Sequence, residues 1–182
     1  MSKSEITEHV LNCELSIVGN AASIFQKDHG RIIDQFPTIR FNRGNIDDTN
    51  SQGARWDFLA TAEVNTFEYY NSHNPKFHTL IFTPKLKEHV YKIKKARFST
   101  NFLEFPLKYS DQITNLLDAQ PSTGFQILWY LNKIENKNVN IFGFDWKKTP
   151  TYYETRNKGS HNFEIEKTLC LEYADQNGWK IF

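Results

Sequence analysis

An α/β fold with a mostly parallel sheet is what this sequence predicts, and three observations predict it. Short apolar, β-rich runs alternate with helix-like segments through much of the 182 residues, the order that lays helices over a parallel sheet. The polar punctuation falls where those runs end, at Gly19-Asn20, Asn42, Ser122-Thr123-Gly124 and Gly143, which is where such sheets bind ligands. The length suits one domain of about 100–200 residues and is enough to hide roughly 70% of the unfolded chain's surface. The expected architecture is a single-domain, Rossmann-like three-layer α/β/α sandwich over residues 1–182.

The elements follow in order. Leu15-Ser16-Ile17-Val18 is an apolar run stopped by Gly19-Asn20, a buried strand feeding a turn. Residues 37–41 are β-rich and end at Asn42. Residues 43–55 concentrate Gly, Asn, Asp and Ser and read as a loop. Residues 56–60 read as a third strand and 78–82 as a fourth. From Lys85 to Arg97 a helix is expected, with Leu86, Val90 and Ile93 as one apolar stripe. Lys85, Lys87, Lys92, Lys94, Lys95 and Arg97 cover its other faces. Residues 98–105 read as extended. Pro121-Ser122-Thr123-Gly124 precedes the apolar run 125–131, a helix start whose hydroxyls can cap free N–H groups, with Asn138 as the stop. Residues 139–143 form the next strand, 147–160 a polar segment, His161 to about Asp175 a helix, and 179–182 a last strand.

Composition excludes several classes. The chain is 39% hydrophobic and 24% charged, an ordinary globular balance. Its 15% aromatic content is read as mostly core. A net charge of +1 argues against a general nucleic-acid binder. No run approaches the ~18 apolar residues of a membrane helix, and Met1 to Glu8 has no apolar signal core. Cys13 and Cys170, the two cysteines, make neither a disulfide scaffold nor a four-ligand zinc site, so a cytoplasmic, reducing setting is expected.

Four constellations carry chemistry. Val18-Gly19-Asn20-Ala21-Ala22-Ser23 reads either as a tight strand-to-helix turn or as a backbone cradle that approaches an anion closely. It is neither a G-x-G-x-x-G fingerprint nor a P-loop. In Ile39-Arg40-Phe41-Asn42, Arg40 reads as an edge charge and Asn42 as a turn residue, or Asn42 holds a ribose or base through its paired donor and acceptor. Pro121-Ser122-Thr123-Gly124 is either a simple cap or a site for a phosphate or carboxylate. His161, in His161-Asn162-Phe163-Glu164-Ile165-Glu166 after Thr151-Tyr152-Tyr153-Glu154, is either an ordinary surface histidine or a general base. His161 and Glu166, five apart, leave one helical face and are not a metal pair. Asp47-Asp48 reads as a solvated loop pair.

In order and spacing the four sets resemble the animal-type sialyltransferases, glycosyltransferase family 29. Residues 15–59 are similar to the large sialylmotif, with Val18-Gly19-Asn20 and Arg40-Phe41-Asn42 in place. Residues 121–144 are similar to the small motif, Thr151-Tyr152-Tyr153-Glu154 to the third, and His161 with Glu166 to the very small motif. The likeness departs in three places. Leu15 and Glu135 stand where the animal enzymes carry a disulfide. Thr151 stands where the third motif usually begins with histidine. The middle, residues 64–119, is short and unlike the animal acceptor region, and no stem or anchor is expected.

The resemblance implies a variant GT-A-like glycosyltransferase fold and an inverting, metal-independent transfer of sialic acid from CMP-sialic acid to a glycan hydroxyl. It implies no cofactor. Gly19, Asn20 and Asn42 would hold the nucleotide. Ser122, Thr123 and Gly124 would line the sugar carboxylate and nucleotide, and Tyr152 or Tyr153 would donate to the phosphate. His161 would be the base, with Glu166 and Arg40 in support. A glycan acceptor is the expected partner, lipid-linked in one version, with the basic 85–97 helix touching a membrane surface or remaining a solvated face. Three other readings stand beside this one: transfer of another CMP-linked keto sugar such as Kdo, a nucleotide-binding module without catalysis, and an anion- or nucleic-acid-binding domain using the 85–97 face.

Overall fold

The computed structural model describes residues 12–62, 66, 79–83, 101–153 and 160–182. The expected 85–97 helix, Phe98 and Glu154 lie outside them. The strands are β1 (Leu15–Val18), β2 (Thr38–Phe41), β3 (Phe58–Thr61), β4 (Thr79–Phe82), β5 (Asn101–Glu104), β6 (Val139–Phe142) and β7 (Lys180–Ile181). The α-helices are α1 (Gly30–Ile33), α2 (Thr49–Gln52), α3 (Leu107–Leu117), α4 (Thr123–Lys133) and α5 (Phe163–Asn177), and a 3-10 turn spans Ala22–Gln26. The strands form one sheet in the order β5-β4-β3-β2-β1-β6-β7. Every pairing is parallel.

Side chains alternate across a strand, and here the alternation separates two cores. Leu15, Ile17, Ile39, Phe41, Phe58, Ala60, Ile81, Val139 and Ile141 share one cluster with Ile113, Leu117, Phe125, Leu128, Leu131 and Tyr173 from α3, α4 and α5. On the opposite face Val18 and Phe142 meet Ile24 and Ile33. Helices therefore cover both faces, which is what buries a parallel sheet. The second face is the more polar. Buried Ser16 donates to Ile33 O, and buried Asn140 to Glu14 Oε1, so these groups keep partners away from water.

Several expectations are corrected. The stretch 43–55 is not a plain loop. It contains α2, capped by Asp48, whose carboxylate accepts from Asn50 N and Ser51 Oγ. Asp48 is thus a cap and not merely solvated, and those bonds hold its carboxyl below the usual range. No element is read from the sequence at residues 107–117, where helix α3 forms with Ser110, Ile113 and Leu117 buried at i, i+3 and i+7. Helix α4 stops at Lys133, well before Asn138, because Glu135 turns left-handed (φ 55°) and Asn136 N returns to Leu131 O. Helix α5 begins at Phe163 with Asn162 as its cap, so His161 precedes the helix.

No disulfide joins the two cysteines. Neither Cys13 nor Cys170 is in a disulfide, and burial pushes the Cys170 thiol up to about 12. Asn136, 4% exposed, makes a tie near the Leu15 and Glu135 end instead. It donates to Cys13 O, while its own side-chain and backbone oxygens accept from Asn138 N and Trp179 Nε1.

Candidate active site

Strands β2 to β5 lie on one side of β1, while β6 and β7 lie on the other. The strand order therefore reverses at β1 and β6, and the C-terminal strand ends at such a reversal are where open parallel sheets bind ligands. Gly19 follows β1 and Gly143 follows β6. A Cβ on Gly19 would stand 2.3 Å from Gly143 O and 2.7 Å from Phe144 Cδ2. Gly143 has φ +65°, a backbone that L side chains rarely adopt. The Phe144 ring also lies against Gly124, where an added Cβ would meet Cε1 at 2.8 Å, and edge-on to Phe41 at 5.7 Å. One aromatic ring thus holds the ends of β1, β2 and β6 and the start of α4 together. Sequence reasoning placed Phe144 at the end of a motif but gave it no role. Its only signal there was an aromatic directly after a glycine.

Asn20 is positioned by its own amide. Nδ2 donates to Phe41 O and to Tyr153 OH, both at 2.9 Å. The segment before Tyr153 lies alongside the chain that leaves β1. Ala21 bridges Thr151, Ala22 N reaches Pro150 O, and Tyr152 N reaches Asn20 O. Asn42 takes a left-handed φ of 52°, which asparagine tolerates better than most residues. Its Oδ1 accepts from Thr61 Oγ1 at 3.2 Å, so the amide nitrogen is the arm left to donate.

Arg40 is not an edge charge. Strand β2 is interior to the sheet, and Arg40 is 1% exposed. Its guanidinium donates to the carbonyls of Arg55, Gln52 and Gly53. Burial lowers it to about 10, so it stays charged at neutral pH while pinning the 43–55 segment. Tyr152 docks on that segment, giving its phenolic proton to Asn45 O. Burial raises this phenol to about 12, so it remains protonated. In its bond with Asn20, by contrast, Tyr153 is the acceptor.

The third cluster joins α4 to α5. Ser122 caps α4 by accepting from Phe125 N. Glu166, 2% exposed, receives Ser122 N and Ser122 Oγ, each at 2.7 Å. Ser122 is thus held on both sides by the protein, with Thr123 buried and Gly124 against Phe144. Glu166→Ala removes both acceptors at once, and charge-assisted bonds contribute about 1.5–3 kcal/mol each. The expected result is a loss of about 3 kcal/mol, read as a Tm lower by about 6–12 °C. An unchanged Tm would contradict this role.

His161 stands just before Asn162, the cap of α5. Its Nδ1 lies 2.7 Å from Gln120 O, two residues before Ser122. A carbonyl oxygen only accepts, so Nδ1 carries the proton and the neutral ring's basic lone pair sits on Nε2. Asn20 thus contacts Phe41 and Tyr153, Ser122 contacts Glu166, and the Phe144 ring lies against both Gly19 and Gly124. Among the described residues no three His, Cys, Asp or Glu side chains group as a metal site. No helix of the described residues is long and apolar enough to cross a membrane.

An all-parallel α/β sheet with its polar residues gathered at the strand-order reversal defines the class as Rossmann-like. Within that class the similar solved structures include sialyltransferases. A mammalian sialyltransferase aligns at TM-score 0.68 and 15% identity, over 93% of this chain and 69% of that one. The mammalian enzyme in complex with Gal-beta-1-3GalNAc-ortho-nitrophenol gives 0.69 and 16%, over 92% and 68%. The sialyltransferase CstII from Campylobacter jejuni, in complex with CMP-3FNeuAc, gives 0.63 and 14%, over 93% and 79%. The chain has the fold of these enzymes. No protein-family model and no curated relative matches the sequence.

Proposed function

We propose that this protein is an inverting sialyltransferase, moving sialic acid from CMP-sialic acid to a hydroxyl of a glycan acceptor with His161 as general base. The observation that carries the reading is the His161 Nδ1 contact with Gln120 O. With Nδ1 on that carbonyl the basic lone pair falls on Nε2, on a ring held at Gln120, two residues before the Ser122 cap of α4. In the reaction Nε2 takes the acceptor hydroxyl's proton as its oxygen attacks the anomeric carbon. The bond from that carbon to the phosphate oxygen breaks, and CMP leaves with the electron pair. Asn20 and Asn42 hold the nucleoside. Tyr153 donates to the phosphate. The N-terminal end of α4 faces the sugar carboxylate, where free N–H groups favour negative charge. No step calls for a metal, because fixed N–H and O–H donors stabilise the leaving phosphate.

The test is incubation with CMP-sialic acid and galactose-terminated acceptors, followed by CMP release and product mass, with and without EDTA. The expected result is transfer that is unchanged by EDTA. Loss on chelation with rescue by Mg²⁺ or Mn²⁺ would overturn the metal-independent mechanism. Transfer from CMP-Kdo alone would move the assignment to that sugar, and CMP binding without transfer would make the protein a nucleotide-binding module.

A further inference from the structure

We propose that Lys147 is a phosphate-binding residue, its ammonium receiving the charge of CMP as the nucleotide leaves. The proposal rests on the CMP-sugar reading above and adds a residue to that site. Three independent features single Lys147 out.

The first is its backbone. Trp146 and Lys147 are consecutive non-glycine residues at φ 52° and 65°, a left-handed pair that large side chains hold only when the surroundings enforce it. The enforcement is visible. Asp145 Oδ2 accepts from both Thr149 N and Thr149 Oγ1, and Asp145 O accepts from Lys148 N. Thr149 Oγ1 in turn accepts from Ser23 N, at the 3-10 turn that follows β1.

The second is where this turn sends the side chain. Lys147 Nζ donates to Thr151 Oγ1 at 2.7 Å and lies 5.9 Å from the centre of the Phe163 ring. That ring is edge-on to His161 at 5.4 Å. Thr151 itself bridges Ala21, next to Asn20. The ammonium is therefore placed between the nucleotide asparagine and the proposed base.

The third is electrostatic. Among the described residues Lys147 is exposed and makes no ion pair, whereas Arg40 is buried and already donates to three carbonyls. As the bond to the anomeric carbon breaks, the phosphate diester becomes a monoester and gains a negative charge. A cation aimed at that oxygen stabilises the transition state more than the ground state. Thr151, standing where the resemblance expects a histidine, carries no charge of its own, and the lysine on its hydroxyl brings one to the same place.

Calorimetric binding of CMP and of cytidine, which lacks the phosphate, tests the proposal on the wild type, Lys147→Ala and Lys147→Arg. Removing one charge-assisted contact at an exposed site predicts about a tenfold weaker CMP affinity for Lys147→Ala. Cytidine affinity is expected to stay unchanged, and Lys147→Arg to keep CMP affinity near wild type. Equal CMP affinity in Lys147→Ala and wild type would overturn the proposal. So would a parallel loss of cytidine binding, which marks a merely structural role. A wild type that binds neither ligand would instead sink the CMP reading and the lysine's role with it.

Discussion

Replacing His161 with alanine is expected to lower turnover by about 10²–10⁴-fold, the usual contribution of a positioned acid or base. CMP affinity should stay near that of the wild type. The split follows from geometry. The imidazole meets the protein at Gln120 O through Nδ1, whereas the residues proposed to hold the nucleotide are tied to each other by Asn20, Tyr153 and Phe41 O. Removing the ring deletes the base and leaves those ties intact. Single-turnover transfer and CMP titration on the same preparation separate the two effects. Near-normal transfer by His161→Ala would remove His161 from the mechanism. Equal losses of turnover and CMP affinity would assign it a binding role. His161→Gln is the informative partner, since its amide can still donate to Gln120 O but supplies no base.

The second large effect is expected at Gly19. An alanine there puts a methyl group 2.3 Å from Gly143 O and 2.7 Å from Phe144. Real Cβ atoms do not occupy such a position, and the nearest obstacle is backbone that cannot rotate aside. Overpacking in a close-packed interior costs typically 1–3 kcal/mol, and the backbone clash places Gly19→Ala at the top of that range, about 3 kcal/mol. In a chain of this size that is a Tm lower by about 6–12 °C. The strand ends must also spread to admit the methyl, which displaces Asn20 and the bridge between Ala21 and Thr151. Weakened CMP binding should therefore accompany the lower Tm. Gly178 is the control: a Cβ there meets nothing within 4 Å, and with its φ of +71° only local backbone strain is expected. Full stability in Gly19→Ala would show that β1 and β6 separate more easily than the contacts imply.

The two predictions rest on different kinds of legibility. His161 can be proposed from sequence because a histidine after a polar segment and just before a helix carries its chemistry in its own side chain. Gly19 was readable as punctuation, yet its reason was not. The glycine reads as a tight turn or as a cradle for a ligand, and the structure adds that it packs against Gly143 and Phe144. That contact lies more than a hundred residues away along the chain, so spacing cannot reveal it. Arg40 shows the same limit. A charge within a strand suggests an edge, but edge or interior depends on strand order, and strand order is set by which helices pack on which face.

By itself the sequence determined the local alphabet of the fold. Apolar strand runs, the Ser122 cap, the glycine and asparagine stops and the basic or acid groups are all properties of near neighbours. Hydrophobic period and capping chemistry act over a few residues and can be read there. Tertiary structure alone decided which polar groups face one another. Glu166 meets Ser122, Asn20 meets Tyr153, Lys147 meets Thr151 near Phe163, and Phe144 wedges between two glycines. The reason is that parallel strands need long crossovers, so the sheet brings to one edge residues the chain keeps far apart, and only packing sets their partners.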